Sequence, residues 1–571
     1  MTKRLGQAVF NDQQWQRVQQ LITELDSRQA LWLSGFLAAQ GQHAAAPVET
    51  GGAEPRSVIA YGSETGNCIA LSRQMAAAAE QRGVTVELRD LAEMRVRDLN
   101  KIRYLLVICS THGDGDPPEP IVPFYEALMS SGVAQLPEMH FAVLALGDSS
   151  YEQFCATGKQ IDERLASLGG QRILPRRDCD VDFQRDADRW MQQVFEALPA
   201  KQPELPSAVA ADASVERHVK SYSRQQPLTA EVVENIRLSE EQRESGIHHI
   251  ELIPANTDLG IVPGDAVGVM AHNPPKLVSF ILDATGLSGD ETVMLGEMPM
   301  PVVQALRERC DLTIPGVRFL EIWAELSGAE ALQRMAGAGD HQRRGFLRRH
   351  QLSELVARYP GRPEAQLLVD SLRPLQPRLY DVANSLNRLD GEIHLVVKLF
   401  RYRFGDRIET GIASDHLLQL QPGEQVAIYP HYNKRFRLPE NRQAPLILVA
   451  DGTGIAPYRA FVQELAAGGR SNPCWLVFAE DSYEEDFLYQ LEWQKAYRDG
   501  LVQCIDTLFY RDRSDVELAD PFRENRQRLS EWIENGAHLY FCGDKERLSS
   551  CEKSIQHLIM EECGDASVWQ Q

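Results

Sequence analysis

Three loops in the first third of the chain carry residue types suited to a phosphate and a flat ring. Ser63-Glu64-Thr65-Gly66-Asn67 follows a short apolar run and opens a helical stretch. Hydroxyls, an amide and a glycine at a helix N-terminus turn backbone N–H groups outward, and the helix dipole favours an anion there. The loop lacks the Lys of a nucleotide-triphosphate loop, so a monophosphate suits it better. Taken alone, it also reads as an N-cap with a turn glycine. Two further apolar runs end in Ser110-Thr111-His112-Gly113-Asp114-Gly115-Asp116-Pro117-Pro118 and Leu146-Gly147-Asp148-Ser149-Ser150-Tyr151. Glycines admit a ring edge close to the backbone, backbone groups bond its polar rim, and an aromatic covers its face. Tyr151 and Phe154 are the candidate stacking residues, with Cys155 beside them, and His112 is either a ring contact or a surface histidine.

Such loops need strands that end together. Short apolar runs at 58–61, 84–88, 105–109 and 141–146 alternate with helical stretches, the signature of a parallel sheet with helices on both faces. Ligands of an open α/β sheet bind outside the carboxyl ends of its strands, where the strand order reverses. Residues 56–200 are therefore expected to form one domain, with linkers at 41–55 and 201–220. Over 221–440 alternating segments such as 250–253 and 393–399 predict antiparallel strands, interrupted by a mostly helical stretch at about 274–370. We read this as a β-barrel with a helical insertion. From 441 the βα alternation resumes, with strands expected at 445–450, 474–479, 502–506 and 537–542. The fold class is α/β multidomain.

The first 40 residues stand apart. Trp15, Val18, Leu21, Ile22 and Leu25 recur at helical spacing, and Leu31, Leu33, Phe36 and Leu37 form a second cluster. So small a piece cannot bury its own apolar face and must pack on another domain or another chain.

Composition narrows the function classes. The chain has 571 residues, 43% apolar and 25% charged, which is globular material in several domains. A formal charge of −22 argues against non-specific nucleic-acid binding. The ten cysteines include no Cys-x-x-Cys pair, so neither a zinc site nor a disulfide framework is indicated and a reducing cytoplasm is expected. No run of about 18 apolar residues and no N-terminal signal pattern is present.

The three early loops resemble those of the flavodoxin family, which implies FMN. Arg378-Leu379-Tyr380 resembles the Arg-x-Tyr-Ser motif of the ferredoxin reductase superfamily, in which the Arg pairs with the FAD pyrophosphate and the Tyr stacks on the ring. Gly411-Ile412-Ala413-Ser414 resembles that family's second pyrophosphate segment, and Gly452-Thr453-Gly454-Ile455-Ala456-Pro457 its nucleotide-binding turn. Tyr540-Phe541-Cys542-Gly543-Asp544 is similar to a later motif. The domain order is that of the diflavin reductases. Gln29-Ala30-Leu31-Trp32-Leu33-Ser34-Gly35-Phe36-Leu37 looks like the segment through which bacterial sulfite reductase flavoproteins self-associate. The resemblance implies electron flow from NADPH through FAD and FMN to a hemoprotein of the siroheme sulfite reductase type. It makes Cys542, a terminal aromatic, here Trp569, and the residue after Arg-x-Tyr, here Asp381, candidate catalytic residues.

Five departures cluster where hydride enters. The Ser after Arg-x-Tyr is Asp381, the turn reads Ala450-Asp451-Gly452, and the usual Phe-Gly is Phe478-Ala479, followed by Glu480 and Asp481. The Ser-Arg pair that grips a 2′-phosphate is Tyr510-Arg511, and Asp515-Val516-Glu517 replaces a Lys-x-Tyr segment. The chain also ends early against the family pattern. Added carboxylates at 451, 480, 515 and 517 predict a weak, salt-dependent nucleotide site, at about 1–4 kcal/mol per unfavourable charge. The alternatives are that these side chains face solvent, that a different donor is used, or that the reductase half is vestigial in an assembly protein.

Overall fold

The computed structural model describes residues 56–63, 66–112, 115–198, 222–240, 246–296, 298–386, 391–433, 435–469, 471–513 and 515–563. The expected N-terminal helices, both linkers, Glu64, Thr65, Gly113, Asp114 and Trp569 lie outside them.

Strands β1 (Arg56–Gly62), β2 (Glu87–Asp90), β3 (Ile102–Ser110), β4 (His140–Leu146), β5 (Gln171–Arg172) and β6 (Arg177–Cys179) form a parallel sheet in the order β2-β1-β3-β4-β5, with β6 also on β4. Side-chain alternation explains its two buried faces. Val58, Ala60, Leu105 and Val107 enter one core, while Ile59, Leu106, Ile108 and Leu144 enter the other. The order reverses between β1 and β3, so the loops after β1, β3 and β4 gather at that point. Strand β2 begins three residues later than expected. Val84 still donates its N–H to Ala79 at 2.9 Å, closing the helix Asn67–Gln81, so it is not yet free to pair.

The second body is antiparallel. Strands β7 (Leu228–Arg237), β8 (Ile247–Pro254), β9 (Ala266–Met270), β10 (Arg378–Asp381), β11 (Ile393–Lys398) and β12 (Gln425–His431) follow the order β10-β9-β12-β7-β8-β11. Val382 bridges Leu395, so the two edge strands meet and the sheet closes as a barrel. Between β9 and β10 short helices run from Pro275–Thr285 to Ala365–Ser371 around their own core of Phe319, Trp323, Leu352 and Leu368.

Strands β13 (Leu446–Asp451), β14 (Cys474–Glu480), β15 (Cys504–Phe509) and β16 (His538–Cys542) form a parallel sheet in the order β15-β14-β13-β16. Strand β15 also starts late, because Leu501 and Val502 donate to Ala496 and finish the preceding helix turn. Among the described residues no helix is long and apolar enough to cross a membrane.

Candidate functional site

The loop after β1 is held by one hydroxyl. Ser63 Oγ accepts from the N–H groups of Gly66 (2.9 Å) and Cys68 (3.3 Å). The N-cap residue of the helix Asn67–Gln81, Gly66, has no side chain to offer, so Ser63 serves the first turn instead. After β3, His112 and Asp116 exchange backbone hydrogen bonds of 2.8 and 3.0 Å. This tight loop holds Gly115 at φ 125°, where a Cβ would also lie 2.7 Å from Gln153 Cβ, so only glycine fits. Thr111 ties the loop inward: its N–H donates to Leu146 at 3.0 Å and its Oγ1 accepts from Thr157 N–H at 3.2 Å. Ser110 ends β3 and Leu146 ends β4, both beneath these loops.

The loop after β4 divides its candidates. Tyr151 is half-buried at the outer face, and His112 is exposed. Phe154 and Cys155 are instead core residues beneath Gly147, with Cys155 Sγ donating to Ala145 O at 3.4 Å. In this position they support the loop from below. Periodicity cannot see this, because the chain turns inward at Cys155 through a left-handed residue, φ 57°.

Strand β10 presents the barrel's candidates. Arg378, Leu379, Tyr380 and Asp381 pair with Val269, Gly268, Val267 and Ala266 of β9. Burial pushes the Tyr380 phenol up to about 12, against the pull of Arg378. Gly411 opens the helix Ile412–Gln419, and Ser414 is committed to that turn: its hydroxyl donates to Gly411 O at 3.0 Å and accepts from Phe400 N–H at 3.1 Å. A cavity of about 630 Å³ is lined by Arg378, Leu379, Tyr380 and the 411–414 segment on one side, and by Asp148, Ser150 and Tyr151 on the other. Its volume is that of a pocket for a drug-sized or cofactor-sized molecule. Across it, Arg378 Nη1 donates to Tyr151 Oη at 3.0 Å. The two sets of loops therefore share one chamber.

At the far end of β10, Cys542 Sγ donates to Asp381 Oδ2 at 3.6 Å. The Asp381 side chain is exposed at the end of β10. Desolvation raises its pKa, opposed by the Cys542 hydrogen bond and by His431. Burial, and then the Asp381 charge, push the Cys542 thiol well up, so it stays protonated. The turn after β13 approaches β16 closely: a Cβ on Gly454 would lie 1.9 Å from Cys542 O. Gly452 and Thr453 open this turn, which leads into the helix Ala456–Ala467.

The acidic residues near that turn have partners. Asp451, 7% exposed, pairs with Arg547 at 3.1 Å and accepts from Tyr510 Oη at 3.3 Å and Asp544 N–H at 3.4 Å. Arg547 also lies over the Tyr510 ring, 4.2 Å from its centroid. Glu480 bonds Lys398 at 2.9 Å and Glu517 bonds Arg523 at 2.6 Å. Asp515 is exposed, with Arg513 at 3.9 Å. Arg511 binds Glu485 at 2.9 Å. The expected accumulation of unpaired negative charge is therefore corrected: each of the four carboxylates has a cation within 4 Å, Asp515 only through a long, exposed contact. Residue spacing could not reveal this, because Lys398 and Arg547 are far away in the chain.

Residues 59–190 match the flavodoxin family, 220–416 the FAD-binding domain family and 448–553 the oxidoreductase NAD-binding domain family. The chain is 38% identical over 549 residues to the sulfite reductase (NADPH) flavoprotein alpha-component of Shewanella sp. (strain ANA-3), covering 94% of this chain and 91% of that one. It belongs to the sulfite reductase flavoprotein alpha-component family. The Salmonella typhi protein of that name is 34% identical over 566 residues, 97% of this chain and 94% of the other. The Bacillus subtilis (strain 168) protein is 34% identical over 577 residues, 98% and 95% of the two chains.

Sequence reasoning missed the contacts by which this family member's flavodoxin-like sheet meets its reductase part. Arg373, only 2% exposed, binds Asp148 through Nη2 and reaches Asp180 at 3.4 Å. Lys545 binds Asp116 in the loop after β3. No local pattern marks such pairs. A buried arginine next to a proline was the available hint, in Leu372-Arg373-Pro374.

Proposed function

We propose that this chain carries electrons from NADPH through FAD and FMN to a hemoprotein of the sulfite reductase type. The shared chamber carries the reading, since Tyr151 of the flavodoxin-like sheet and Arg378 of the barrel meet across it at 3.0 Å. Two flavins held from those two sides would lie close enough for direct transfer. When bound, the flavins supply the conversion of a two-electron hydride into single electrons. The helix start after Ser63 would hold the FMN phosphate, and Tyr151 would cover its ring. Arg378 would pair with the FAD pyrophosphate, Tyr380 would cover its ring, and the backbone of Gly411 to Ser414 would approach the phosphates. The turn at Gly452 and Thr453, with Tyr510, Arg511 and Asp544 around it, would take the nucleotide. Cys542 holds its proton toward Asp381, which keeps that carboxylate hydrogen-bonded at the hydride entrance.

The matched carboxylates favour NADPH entry over the alternatives of another donor or a vestigial reductase half. Self-association through residues 11–39 and a cytoplasmic location complete the proposal. The test is anaerobic mixing of purified protein with NADPH, and separately NADH, while flavin absorbance is followed. One FMN and one FAD per chain, both bleached by NADPH, are expected. A single flavin type at full occupancy, or no bleaching by NADPH, would overturn it.

A further inference from the structure

Away from the flavin chamber, two paired barrel strands place three metal-ligating side chains together. His249 and Glu251 stand two residues apart on β8, and His394 on β11 lies directly opposite Glu251 in the register. Alternation turns Ile250, Leu252, Ile393 and Leu395 into the barrel core, so the three polar side chains share the outer face. That face is covered. Val396 of β11 and Ile247 of β8 belong to the core of the nucleotide-binding sheet, and His249 and His394 are 5% and 4% exposed.

The donor atoms of the cluster converge on one point. His249 Nε2 is 3.1 Å and His394 Nε2 3.7 Å from the same Glu251 Oε1, and one donor atom from each residue lies within 4.8 Å of the others. Ligands about 2.0–2.2 Å from a tetrahedral zinc ion stand roughly 3.3–3.6 Å apart. Glu392 Oε2 contacts His394 Nε2 at 3.3 Å but is not among the three residues whose donor atoms converge. The other nitrogen of His249 is fixed from outside: Nδ1 lies 2.7 Å from Tyr489 Oη, the kind of outer contact that orients a ligating imidazole. The neighbouring cation does not stand against this arrangement. Arg459 is neutralised by two bonds to Glu492, of 2.8 and 2.9 Å. Two imidazoles and one carboxylate leave a fourth position for solvent, and imidazole with carboxylate suits zinc-type cations.

We propose that His249, Glu251 and His394 form a structural site for a zinc-type divalent cation on the barrel wall that faces the nucleotide-binding sheet. Its ligands come from the barrel and its outer contact, Tyr489, from the neighbouring sheet's domain, so the ion would stiffen the junction between them. The full flavin-loaded protein, stripped with chelator and dialysed against zinc chloride, should retain about one zinc per chain more than His249→Gln, His394→Gln or Glu251→Gln. Flavin absorbance reports whether each variant is folded, and Glu251→Gln preserves side-chain shape if a histidine change does not. X-ray absorption at the zinc edge should show two imidazoles. Zinc should also raise the melting temperature of the parent protein and leave that of the variants unmoved. Equal zinc in parent and variants, or an edge spectrum without imidazole, would overturn the proposal and leave a hydrogen-bonded network only.

Discussion

Replacing Arg373 with Met tests how much this buried side chain, beside the Lys545–Asp116 and Arg378–Tyr151 contacts, holds the flavodoxin-like domain against the reductase part. Met fills similar space without charge, so the change removes a cation from Asp148 and Asp180 and little packing. Breaking a buried ion pair by removing one partner costs about 3–5 kcal/mol when the remaining charge stays buried. Here the two carboxylate side chains are 22% and 16% exposed and regain water if the domain undocks. We therefore take about 2–3 kcal/mol as the bias toward the undocked form, roughly a 30- to 150-fold change in that equilibrium. The expected result is a larger radius of gyration in X-ray scattering and slower transfer between the flavins in stopped-flow, with both flavins retained. Asp148→Asn in the Arg373→Met background should add little, since the pair acts as a unit. The same pair sets a pH limit. Burial works to raise the Asp148 pKa, but Arg373 and the Ser150 hydrogen bonds together hold it below the ordinary carboxylate value. Its contribution is thus complete above that ordinary value and is lost as pH falls through the depressed one. An Arg373→Met protein with unchanged size and unchanged internal transfer rate would refute the reasoning.

Other perturbations separate the sites. Arg378→Ala should release FAD while FMN stays, and Tyr151→Ala should weaken FMN by about 1 kcal/mol, both read by extraction and chromatography. Arg547→Ala should leave Asp451 uncompensated and raise the KM for NADPH by roughly 5- to 30-fold at low salt, an effect of about 1–2 kcal/mol that added salt relieves. The parent enzyme should show little salt dependence of its own, and a KM unmoved by the change would mean that Asp451 does not face the nucleotide. Deleting residues 11–39 should lower the mass seen by light scattering with flavin content unchanged; a parent protein that is already monomeric would remove the basis for that expectation.

The fold was readable wherever local signals are strong. Continuous apolar runs such as Leu105 to Cys109 marked the parallel strands, and the order of loops after β1, β3 and β4 was legible from glycine, serine and threonine clusters. Strand starts were misread at Val84 and Val502, where apolar residues complete a helix C-terminus before any strand pairing begins. Phe154 looked like a stacking residue by type, yet its burial depends on a backbone reversal at Cys155 that no propensity encodes. The charges were hardest. Glu480 and Asp451 could be counted in the sequence, but their partners Lys398 and Arg547 arrive from other strands and helices. Arg373 meets Asp148 only after two domains dock.

Pairing also changes what the departures at the hydride entrance mean. Asp381 ends β10 and Asp451 ends β13, and the end of β16 lies between them. Cys542 donates to Asp381, and two residues on the Asp544 N–H donates to Asp451. One strand end thus satisfies both carboxylates, and Arg547, one turn into the following helix, supplies the cation for the more buried one. A carboxylate added to a site without such partners would be desolvated and unmatched, at a cost of several kcal/mol. Here the geometry converts two apparently hostile substitutions into a connected polar network around the turn of Gly452 to Ile455. The consequence is chemical: an entrance where Arg547 neutralises Asp451 and a thiol hydrogen-bonds Asp381 can admit a phosphorylated nucleotide without a high-salt requirement, although the count of acidic residues suggests otherwise.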